Sequence, residues 1–307
     1  MEKEYGFFKE KKILVTGAGG FIGSWVVKKL VEAGASVRGI LRENEISRDS
    51  LSTVEWLTGD LLDSAFVAEA VKDCDVIFHL AAVKGNIFFH SENPADILKS
   101  NLRLDLNILE ATVAHSVSRV LMIGSATAGD SWLNSGHFGY AWSKKMSEVL
   151  SESFRRQYGL KSSVIRLENV FGPGDSFDPK VSQVIPSIIY RAFQKENPFE
   201  FKGSPETEKD FSYIEDVASK LIELAADYSL PNVAILKSSY RVTFKNLVEK
   251  IAQISNLESK IEFLESETVK KYSADIDSDI PFFEVKNPMP FEEAIRRTIA
   301  WYQDSLR

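Results

Sequence analysis

A tyrosine and a lysine that stand one helical turn apart are the first residues of this sequence whose types could do chemistry. Tyr140 and Lys144 lie in HFGYAWSKKMSE, residues 137–148, which begins an amphipathic helical pattern. Side chains four residues apart share one face of a helix, so the ammonium would lie close to the phenol. A free tyrosine has a pKa of about 10, and a neighbouring cation favours the phenolate. The pair therefore suits acid–base catalysis, although so short a pattern also occurs by chance on helix surfaces.

Three glycines lie between the first apolar run of the chain and a helical pattern. Gly17, Gly20 and Gly23 stand three residues apart in TGAGGFIG. In a phosphate-binding turn the first glycine permits the tight turn, the second lets the backbone approach the anion, and the third allows helix and strand to pack closely. The free N–H groups at the start of the helix would then face a pyrophosphate. The strand before and the helix after favour a dinucleotide site over a simple tight turn.

The ends of the next two predicted strands bear on which dinucleotide binds. An acidic residue after the second strand would bind the ribose of NAD, whereas an arginine there accommodates the 2′-phosphate of NADP. The sequence reads Leu41-Arg42-Glu43, so we expect NADP(H) in preference to NAD(H), with Glu43 on the ribose if Arg42 is only a solvated cation. Asp60 follows the third strand and is expected near the adenine ring or, alternatively, in an ordinary turn.

Apolar runs alternate with helical patterns through the first part of the chain. Strands are expected over 11–17, 35–41, 54–60, 74–82 and 118–125, and 162–172 is expected to be a strand that runs into a loop. Long helices are expected over 96–116 and 140–159. This alternation predicts a Rossmann-type α/β fold, a doubly wound parallel sheet, in residues 1–172. Beyond Gly172, polar loops separate helices expected over 215–227, 244–254 and 291–305. We therefore predict a smaller, mostly helical substrate lobe in residues 173–307, from which some elements can cross back to the sheet, packed where open α/β sheets bind ligands.

Composition is that of an ordinary globular protein. The chain has 307 residues, 44% hydrophobic and 26% charged, with a net charge of −7 at pH 7. No basic stripe suits nucleic acid, and no apolar run approaches the ~18 residues of a membrane span. The charged N-terminal segment lacks the apolar region of a secretory signal, so we expect a cytoplasmic protein. Cys74 is expected to be a buried thiol, and the four histidines have no metal-ligand spacing.

The motifs together resemble the extended short-chain dehydrogenase/reductase family, which contains nucleotide-sugar epimerases, dehydratases and reductases. The resemblance covers nearly the whole chain and depends on TGAGGFIG, GDLLD, VIFHLAA, IGSAT, the Tyr-x-x-x-Lys pair, IRLENVFGPGD and KDFSYIEDVA. It implies that Tyr140 is the acid/base, that Lys144 lowers its pKa and holds the nicotinamide ribose, and that Ser125 hydrogen-bonds the reacting oxygen. For Ser125 the alternative is a turn cap. The cofactor contacts it implies are Gly17, Gly20, Phe21, Ile22, Gly23, Arg42, Asp60, Leu61, Leu80, Ala81, Ala82, Tyr140 and Lys144.

A narrower similarity, over 81–111 and 169–189, is to GDP-fucose synthase. Members of that family invert two carbons beside a keto group and then reduce the ketone with NADPH. A cysteine and a histidine exchange the protons there, and by motif the matching positions here are Thr127 and Gln183, which cannot exchange a proton near neutral pH. We therefore expect the reduction without the inversions, unless His90 or His137 takes over the exchange.

Two departures from the family concern the substrate. The segment between Ser125 and Tyr140 is shorter than is usual in nucleotide-sugar enzymes, which predicts a differently shaped sugar pocket. Lys209 in EKDF stands where the family commonly has an arginine against the nucleotide diphosphate, and it keeps the charge without the fork geometry. Asn169 is a second candidate for the substrate phosphates or, alternatively, caps its own loop.

The leading hypothesis is an NADP(H)-dependent reductase of a nucleotide-activated 4-keto deoxysugar, with Tyr140 as proton donor. The alternatives are a nucleotide-sugar 4-epimerase with tightly bound NAD, a reductase of a non-sugar carbonyl, and a non-catalytic cofactor-sensing protein on the same fold. The resemblance also implies a homodimer through the helices at 96–116 and 140–159. The first of these has more apolar positions than one buried face needs: Leu102, Leu104, Leu106, Ile108 and Leu109.

Overall fold

Eight strands form one parallel sheet at the centre of the protein, in a computed structural model that describes residues 6–45, 51–179, 181–264 and 279–306. The strands of the described residues are β1 (Lys12–Thr16), β2 (Ser36–Leu41), β3 (Glu55–Thr58), β4 (Val76–His79), β5 (Arg119–Ser125), β6 (Ser162–Leu167), β7 (Asn169–Phe171), β8 (Phe199–Lys202), β9 (Glu208–Tyr213), β10 (Val233–Leu236), β11 (Tyr240–Thr243), β12 (Ile261–Leu264) and β13 (Phe282–Phe283). The central sheet has the order β13-β10-β6-β5-β4-β1-β2-β3, and each strand runs parallel to its neighbours.

Helices cover both faces of this sheet. The helices of the described residues are α1 (Phe21–Glu32), α2 (Ser64–Val71), α3 (Ile87–Glu92), α4 (Pro94–Ala114), α5 (Phe138–Tyr158), α6 (Val184–Phe193), α7 (Ile214–Ala225), α8 (Phe244–Ile254) and α9 (Phe291–Ser305). α1 packs against α7 on one face, and α4 packs against α2 and α5 on the other. The predicted Rossmann-type α/β fold with a doubly wound parallel sheet is therefore confirmed.

The strands of the central sheet supply two apolar cores, one on each face. In β1, Ile13 and Val15 join the core beneath α1 and α7, whereas Leu14 joins the core beneath α2 and α4. Strands buried on both faces read as continuous apolar runs, which is why the strand signals in this sequence lack alternation. Cys74 lies in the second core, where burial raises the pKa of its thiol to about 11.

The chain beyond Gly172 contributes to three sheets. β10 and β13 extend the central sheet beyond β6, β9 and β11 join β7 in a three-stranded sheet, and β8 pairs with β12. α6, α8 and α9 pack around a third core that is rich in phenylalanine. The segment 162–172, predicted as a strand that runs into a loop, forms β6 and then a second short strand, β7, because the chain leaves the central sheet at Glu168 and Asn169 then pairs with Phe211 of β9.

The starts of α4 and α5 touch at the backbone. A Cβ on Gly139 would lie 2.1 Å from the carbonyl oxygen of Pro94, so only glycine fits there. α5 ends at Gly159, whose φ of 68° is the left-handed conformation expected of a helix C-terminal glycine. The close contact at Gly139 fixes the position of the next residue, Tyr140. In the described part of the chain, no helix combines the length and the apolar character needed to cross a bilayer.

A buried ion pair connects α5 to the central sheet. Arg166 of β6 donates from Nε to Oε1 of Glu148 at 2.6 Å and from Nη2 to Oε2 at 3.0 Å. The two side chains are 2% and 7% exposed. Asn232, just before β10, also donates to the carbonyl of Glu148 at 2.9 Å. Removing one partner of such a pair leaves an uncompensated buried charge.

Replacing Glu148 with alanine is therefore expected to lower the free energy of unfolding by about 3–5 kcal/mol. The matched control is Glu152→Ala on the same helix, where the carboxylate pairs with Arg156, whose side chain is 78% exposed. An ion pair of this kind contributes under about 1 kcal/mol. Urea unfolding of both variants measures the difference, and equal losses would show that the buried pair does not anchor α5.

Candidate active site

A cavity of about 1750 Å³ opens along the carboxyl ends of the central strands. β1 has β2 on one side and β4 on the other, so the strand order reverses at this place in the sheet. Doubly wound sheets bind their dinucleotides at such a reversal. The cavity is lined by all the site residues that the sequence favoured, leaving aside the alternative Glu43: Gly17, Gly20, Phe21, Ile22, Gly23, Arg42, Asp60, Leu61, Leu80, Ala81, Ala82, Ser125, Thr127, Tyr140, Lys144, Asn169, Gln183 and Lys209.

The glycine loop between β1 and α1 is shaped to receive an anion. Gly17 has a φ of 65°, and a Cβ there would lie 3.0 Å from the backbone of Ala81. A Cβ on Gly23 would lie 2.0 Å from the carbonyl oxygen of Gly17, so the helix can approach the strand only without a side chain. Gly20 precedes α1 with no side-chain cap, and the first turn of α1 contains no acidic residue. These uncapped N–H groups and the positive end of the helix dipole fit the pyrophosphate of a dinucleotide.

The end of the cavity next to the carboxyl end of β2 holds an arginine and a glutamate. The side chain of Arg42 is 84% exposed, and its Nε lies 3.7 Å from Oε2 of Glu45. The backbone N–H of Arg42 donates to the same oxygen at 3.0 Å. A Cβ on Gly19 would lie 2.9 Å from the Glu45 carboxyl carbon, so this carboxylate lies against the glycine loop. The acidic residue that lines the cavity here is thus Glu45, whereas the alternative named from the sequence, Glu43, is exposed and lies outside the lining.

Two of the predicted binding residues also serve the backbone. Oδ1 of Asp60 accepts from the N–H of Leu62 at 2.9 Å, so the turn role that the sequence left open is present. Nδ2 of Asn169 donates to the carbonyl of Asp210 in β9 at 2.8 Å rather than capping its own loop. Each side chain still lines the cavity, so these bonds orient it without excluding a ligand.

Ser125, Tyr140 and Lys144 meet at the carboxyl end of β5. Ser125 is the last residue of that strand, and its Oγ accepts from the N–H of Thr127 at 3.2 Å and from its hydroxyl at 2.9 Å. Tyr140 and Lys144 project from the first turns of α5, with the ammonium 5.9 Å from the centroid of the phenol ring. Lys144 Nζ donates to the carbonyl of Ile123 at 2.8 Å. Ser125 therefore caps a turn and lies in the cavity at the same time.

The electrostatics of Tyr140 differ from the sequence-based expectation. Burial raises the pKa of the phenol, and Lys84 and a hydrogen bond with Ser125 lower it in part. Burial also lowers the pKa of the Lys144 ammonium, opposed by the carboxylate of Asp105. In the chain without cofactor, Lys84 is thus a cation that lowers the pKa of Tyr140. Lys84 gave no signal in the sequence, because it follows β4 and approaches Tyr140 only through the fold.

An asparagine of α4 ties α5 to the loop after β4. Nδ2 of Asn101 donates to the carbonyl of Val83 at 3.1 Å, and its Oδ1 accepts from the N–H of the same residue at 2.7 Å. The amide also donates to Oγ of Ser143 in α5 at 3.0 Å. Asn101 is only 3% exposed, so water cannot replace these bonds. The loop after β4 and the helix that carries Tyr140 are therefore held together through the side chain of Asn101.

One turn further along α4, Asp105 makes a second bridge. Ser147 of α5 donates to Oδ2 of Asp105, and His79 Nε2 of β4 lies 3.0 Å from Oδ1. The other nitrogen of His79 lies 2.8 Å from Oγ1 of Thr16, which accepts from the backbone N–H groups of the two residues after His79. The threonine hydrogen must then point to Nδ1, which leaves His79 donating from Nε2 to Asp105. This chain connects the ends of β1 and β4 to α5.

Charged groups gather at the end of the cavity away from the glycine loop. Burial lowers the pKa of Lys209 in β9, opposed by Asp210 and Glu168. Arg241 of β11 holds Asp210 in a fork, with Nε 2.8 Å from Oδ1 and Nη2 3.0 Å from Oδ2. Glu168 accepts from Ser238, and burial raises the pKa of its carboxyl. Glu168 and Arg241 line the cavity too, although the sequence did not single them out. Among the described residues, no three potential ligands cluster to hold a metal ion.

The family model of the NAD dependent epimerase/dehydratase family matches residues 13–232 of this chain. The chain belongs to that family. It is an NAD(P)-dependent enzyme of the extended short-chain dehydrogenase/reductase type, as the motifs predicted, and the cavity fits that type of cofactor.

Individual relatives agree with this assignment. The dTDP-4-dehydro-6-deoxy-D-allose reductase of a Streptomyces species is 28% identical over 95% of this chain and 96% of its own. The GDP-L-fucose synthase of Escherichia coli strain K12 is 27% identical over 83% of this chain and 84% of its own, which confirms the predicted similarity to that enzyme. The solved structure of the Bordetella bronchiseptica enzyme WbmF in complex with NAD+ has the same fold, with a TM-score of 0.81 at 24% identity over 97% of this chain and 94% of that one.

Proposed function

We propose that this protein reduces the ketone of a nucleotide-activated 4-keto deoxysugar with NADP(H). The observation that carries the proposal is the position of Ser125, Tyr140 and Lys144 in one cavity between the glycine loop and the charged end that holds Lys209 and Arg241. A dinucleotide on the glycine loop and an anionic substrate at Lys209 would meet at these three side chains. The similarity to a dTDP-4-dehydro-6-deoxy-D-allose reductase supports this substrate class.

The proposed reaction turns the ketone into an alcohol by adding a hydride to carbon and a proton to oxygen. The chemistry supplied by a bound NADPH is the hydride. Tyr140 gives its phenolic proton to the keto oxygen as negative charge develops there. Because burial raises the pKa of Tyr140, the phenol is protonated before the reaction, as a proton donor must be. Ser125 accepts two hydrogen bonds from Thr127, and its own hydrogen, which is shared with Tyr140 in the chain without substrate, would donate to the reacting oxygen.

Replacing Tyr140 with phenylalanine is expected to lower kcat by ~10²–10⁴-fold, because the proton donor is lost while the ring remains. The substrates are dTDP-, UDP- and GDP-linked 4-keto-6-deoxyhexoses, and NADPH oxidation reports the rate. The control is Tyr158→Phe at the far end of α5, where the ring is 52% exposed. NADPH binding, measured by fluorescence titration, should be unchanged in both variants. A wild-type protein that reduces none of these sugars would refute the proposed function.

The reduction is proposed to occur without inversion of the neighbouring carbons. Thr127 and Gln183 line the cavity at the positions where GDP-fucose synthase is expected to carry its proton-exchanging pair. A hydroxyl and an amide do not titrate near neutral pH, so neither can remove a proton from carbon.

A product formed in D₂O is therefore expected to contain no deuterium at C3 or C5 of the sugar. Mass spectrometry and proton NMR of the purified product measure this. The same incubation without protein corrects for spontaneous exchange beside the ketone. Deuterium at either carbon above that background would contradict the account and would direct attention to His90 and His137.

Arg42 and Glu45 oppose each other in the choice of cofactor. The side chain of Arg42 is 84% exposed and pairs with Glu45 only at 3.7 Å, so its guanidinium can turn to a 2′-phosphate, which supports NADP(H). The carboxylate of Glu45 lies against the glycine loop, where it would repel that phosphate and accept from a ribose hydroxyl instead. This carboxylate is the observation that favours the second candidate function, a 4-epimerase with tightly held NAD.

We expect kcat/KM to be higher for NADPH than for NADH in the wild-type protein. Arg42→Ala should lower that ratio by roughly 10–100-fold, since a hydrogen bond to a charged group contributes about 1.5–3 kcal/mol. Glu45→Gln should raise it, and Glu43→Gln, which changes an exposed neighbour, should leave it unchanged. A wild-type preference for NADH that Arg42→Ala does not alter would contradict the NADP(H) assignment.

A homodimer through α4 and α5 is also proposed. Of the apolar positions noted on α4, three are buried within the chain itself and two are half-exposed. The buried ones are Leu104, Ile108 and Leu109, and the half-exposed ones are Leu102 and Leu106. On α5, Val149 is 48% exposed. These partly exposed side chains support an apolar face for a second copy of the chain.

A further inference from the structure

A pair of histidines lies directly against Tyr140. The imidazole of His90, in α3, is stacked on the phenol ring, with centroids 4.6 Å apart and planes inclined by 14°. Nδ1 of His90 lies 2.7 Å from Nδ1 of His137, the residue before α5. Both imidazoles line the cavity. The ring that bears the reacting hydroxyl therefore has a titratable side chain on its face, which the proposed reaction does not yet use.

The hydrogen bonds of this pair define where its hydrogens lie. The backbone N–H of Gly85 donates to Nε2 of His90 at 3.1 Å, so that nitrogen is an acceptor. A neutral His90 then carries its hydrogen on Nδ1 and donates it to Nδ1 of His137. His137 in turn carries its own hydrogen on Nε2. A further proton on either ring would replace an acceptor by a donor and break one of the two hydrogen bonds.

Burial and two lysines keep both rings neutral. Burial lowers the pKa of His90 to about 4, with smaller contributions from His137 and from Lys84, in the loop after β4. Burial and Lys209 of β9 lower the pKa of His137. In the part of the chain that the structure describes, these lysines are the charged groups that act on the pair, and the ring of Trp132 packs on His137 at 5.4 Å.

We propose that His90 is a positioning residue: the neutral His90–His137 pair holds the ring of Tyr140 in the orientation that proton transfer needs, and protonation of the pair releases it. The inference rests on the proposed role of Tyr140 as proton donor. The close contact at Gly139 fixes the backbone position of Tyr140, and the stacked imidazole of His90 fixes the orientation of its ring. Orientation matters because a misplacement of about 1 Å can cost ~10²-fold in rate.

The first test uses the protein without substrate, labelled with ¹³C at the tyrosine rings. The Tyr140 signal is identified by its loss in Tyr140→Phe. It is expected to shift in one step whose midpoint lies between pH 6.5, the ordinary pKa of a histidine, and about pH 4, to which burial lowers the pKa of His90. His90→Phe keeps an aromatic ring on Tyr140 but cannot titrate, so the step should vanish. Lys84→Met should move the step to higher pH, whereas Lys260→Met, at an exposed lysine, should not. Circular dichroism at each pH separates release of the ring from unfolding.

The second test uses the reductase assay. His90→Ala is expected to lower kcat by ~10–100-fold with little change in KM, and His90→Phe to restore most of the rate. The fall in kcat that the wild-type protein is expected to show at low pH should be absent in His90→Phe. A Tyr140 signal without the acid step, or a step that persists in His90→Phe, would overturn the inference. Because the NMR test needs no turnover, an inactive wild-type protein would refute the proposed function and leave the NMR result to decide the role of His90.

Discussion

The geometry of this site depends on the buried polar contacts of one helix, α4. Asn101 and Asp105, one turn apart, reach Ser143 and Ser147 of α5 on one side and the ends of β1 and β4 on the other. Apolar packing alone would allow α5 to slide or rotate along α4, since it has no direction. Buried hydrogen bonds cannot slide, because each displaced donor or acceptor would be left unsatisfied at a cost of about 1–3 kcal/mol. The register of Tyr140 against the glycine loop follows from that cost.

The electrostatics of the cavity centre on the phenol of Tyr140, which burial keeps neutral and which we propose as the proton donor. Burial keeps Tyr140 protonated, and Lys84 is close enough to stabilise the phenolate once the proton has left. Lys144 is held by a strand carbonyl beside the place where the resemblance puts the nicotinamide ribose. At the opposite end of the cavity, Asp210 and Glu168 oppose the effect of burial, which lowers the pKa of Lys209.

Local patterns in the sequence predicted the fold and the position of the cofactor loop. The spacing of Gly17 and Gly23 is visible in the sequence because a side chain at either position would clash, with the backbone after β4 at Gly17 and with the loop itself at Gly23. Periodicity located α4 and α5 to within two residues of their ends. The end of the segment 162–172 was predicted as a loop after the strand, whereas Asn169–Phe171 forms β7, because its pairing with β9 is a tertiary contact that the local pattern does not show.

The residues that sequence reasoning missed reach the cavity through tertiary packing. Glu45 and Lys84 lie in loops, and no spacing rule states which loop side chain will turn inward. His90 and His137 were named only as possible proton exchangers, because the stack on Tyr140 joins two helices whose approach is not visible in the sequence. The effect of Lys84 on the phenol adds a cation that the helical spacing of Tyr140 and Lys144 could not predict.

The central claim is that reduction uses a cofactor that enters and leaves with each turnover. The most direct test is to denature freshly purified protein and identify the nucleotide that it releases, with its stoichiometry. The account predicts that the protein does not retain one equivalent of NAD. Any dinucleotide that it does release is expected to be NADP, which added NADPH displaces. One equivalent of NAD that resists exchange would contradict it, since a captive cofactor is reduced and reoxidised within one turnover by a 4-epimerase.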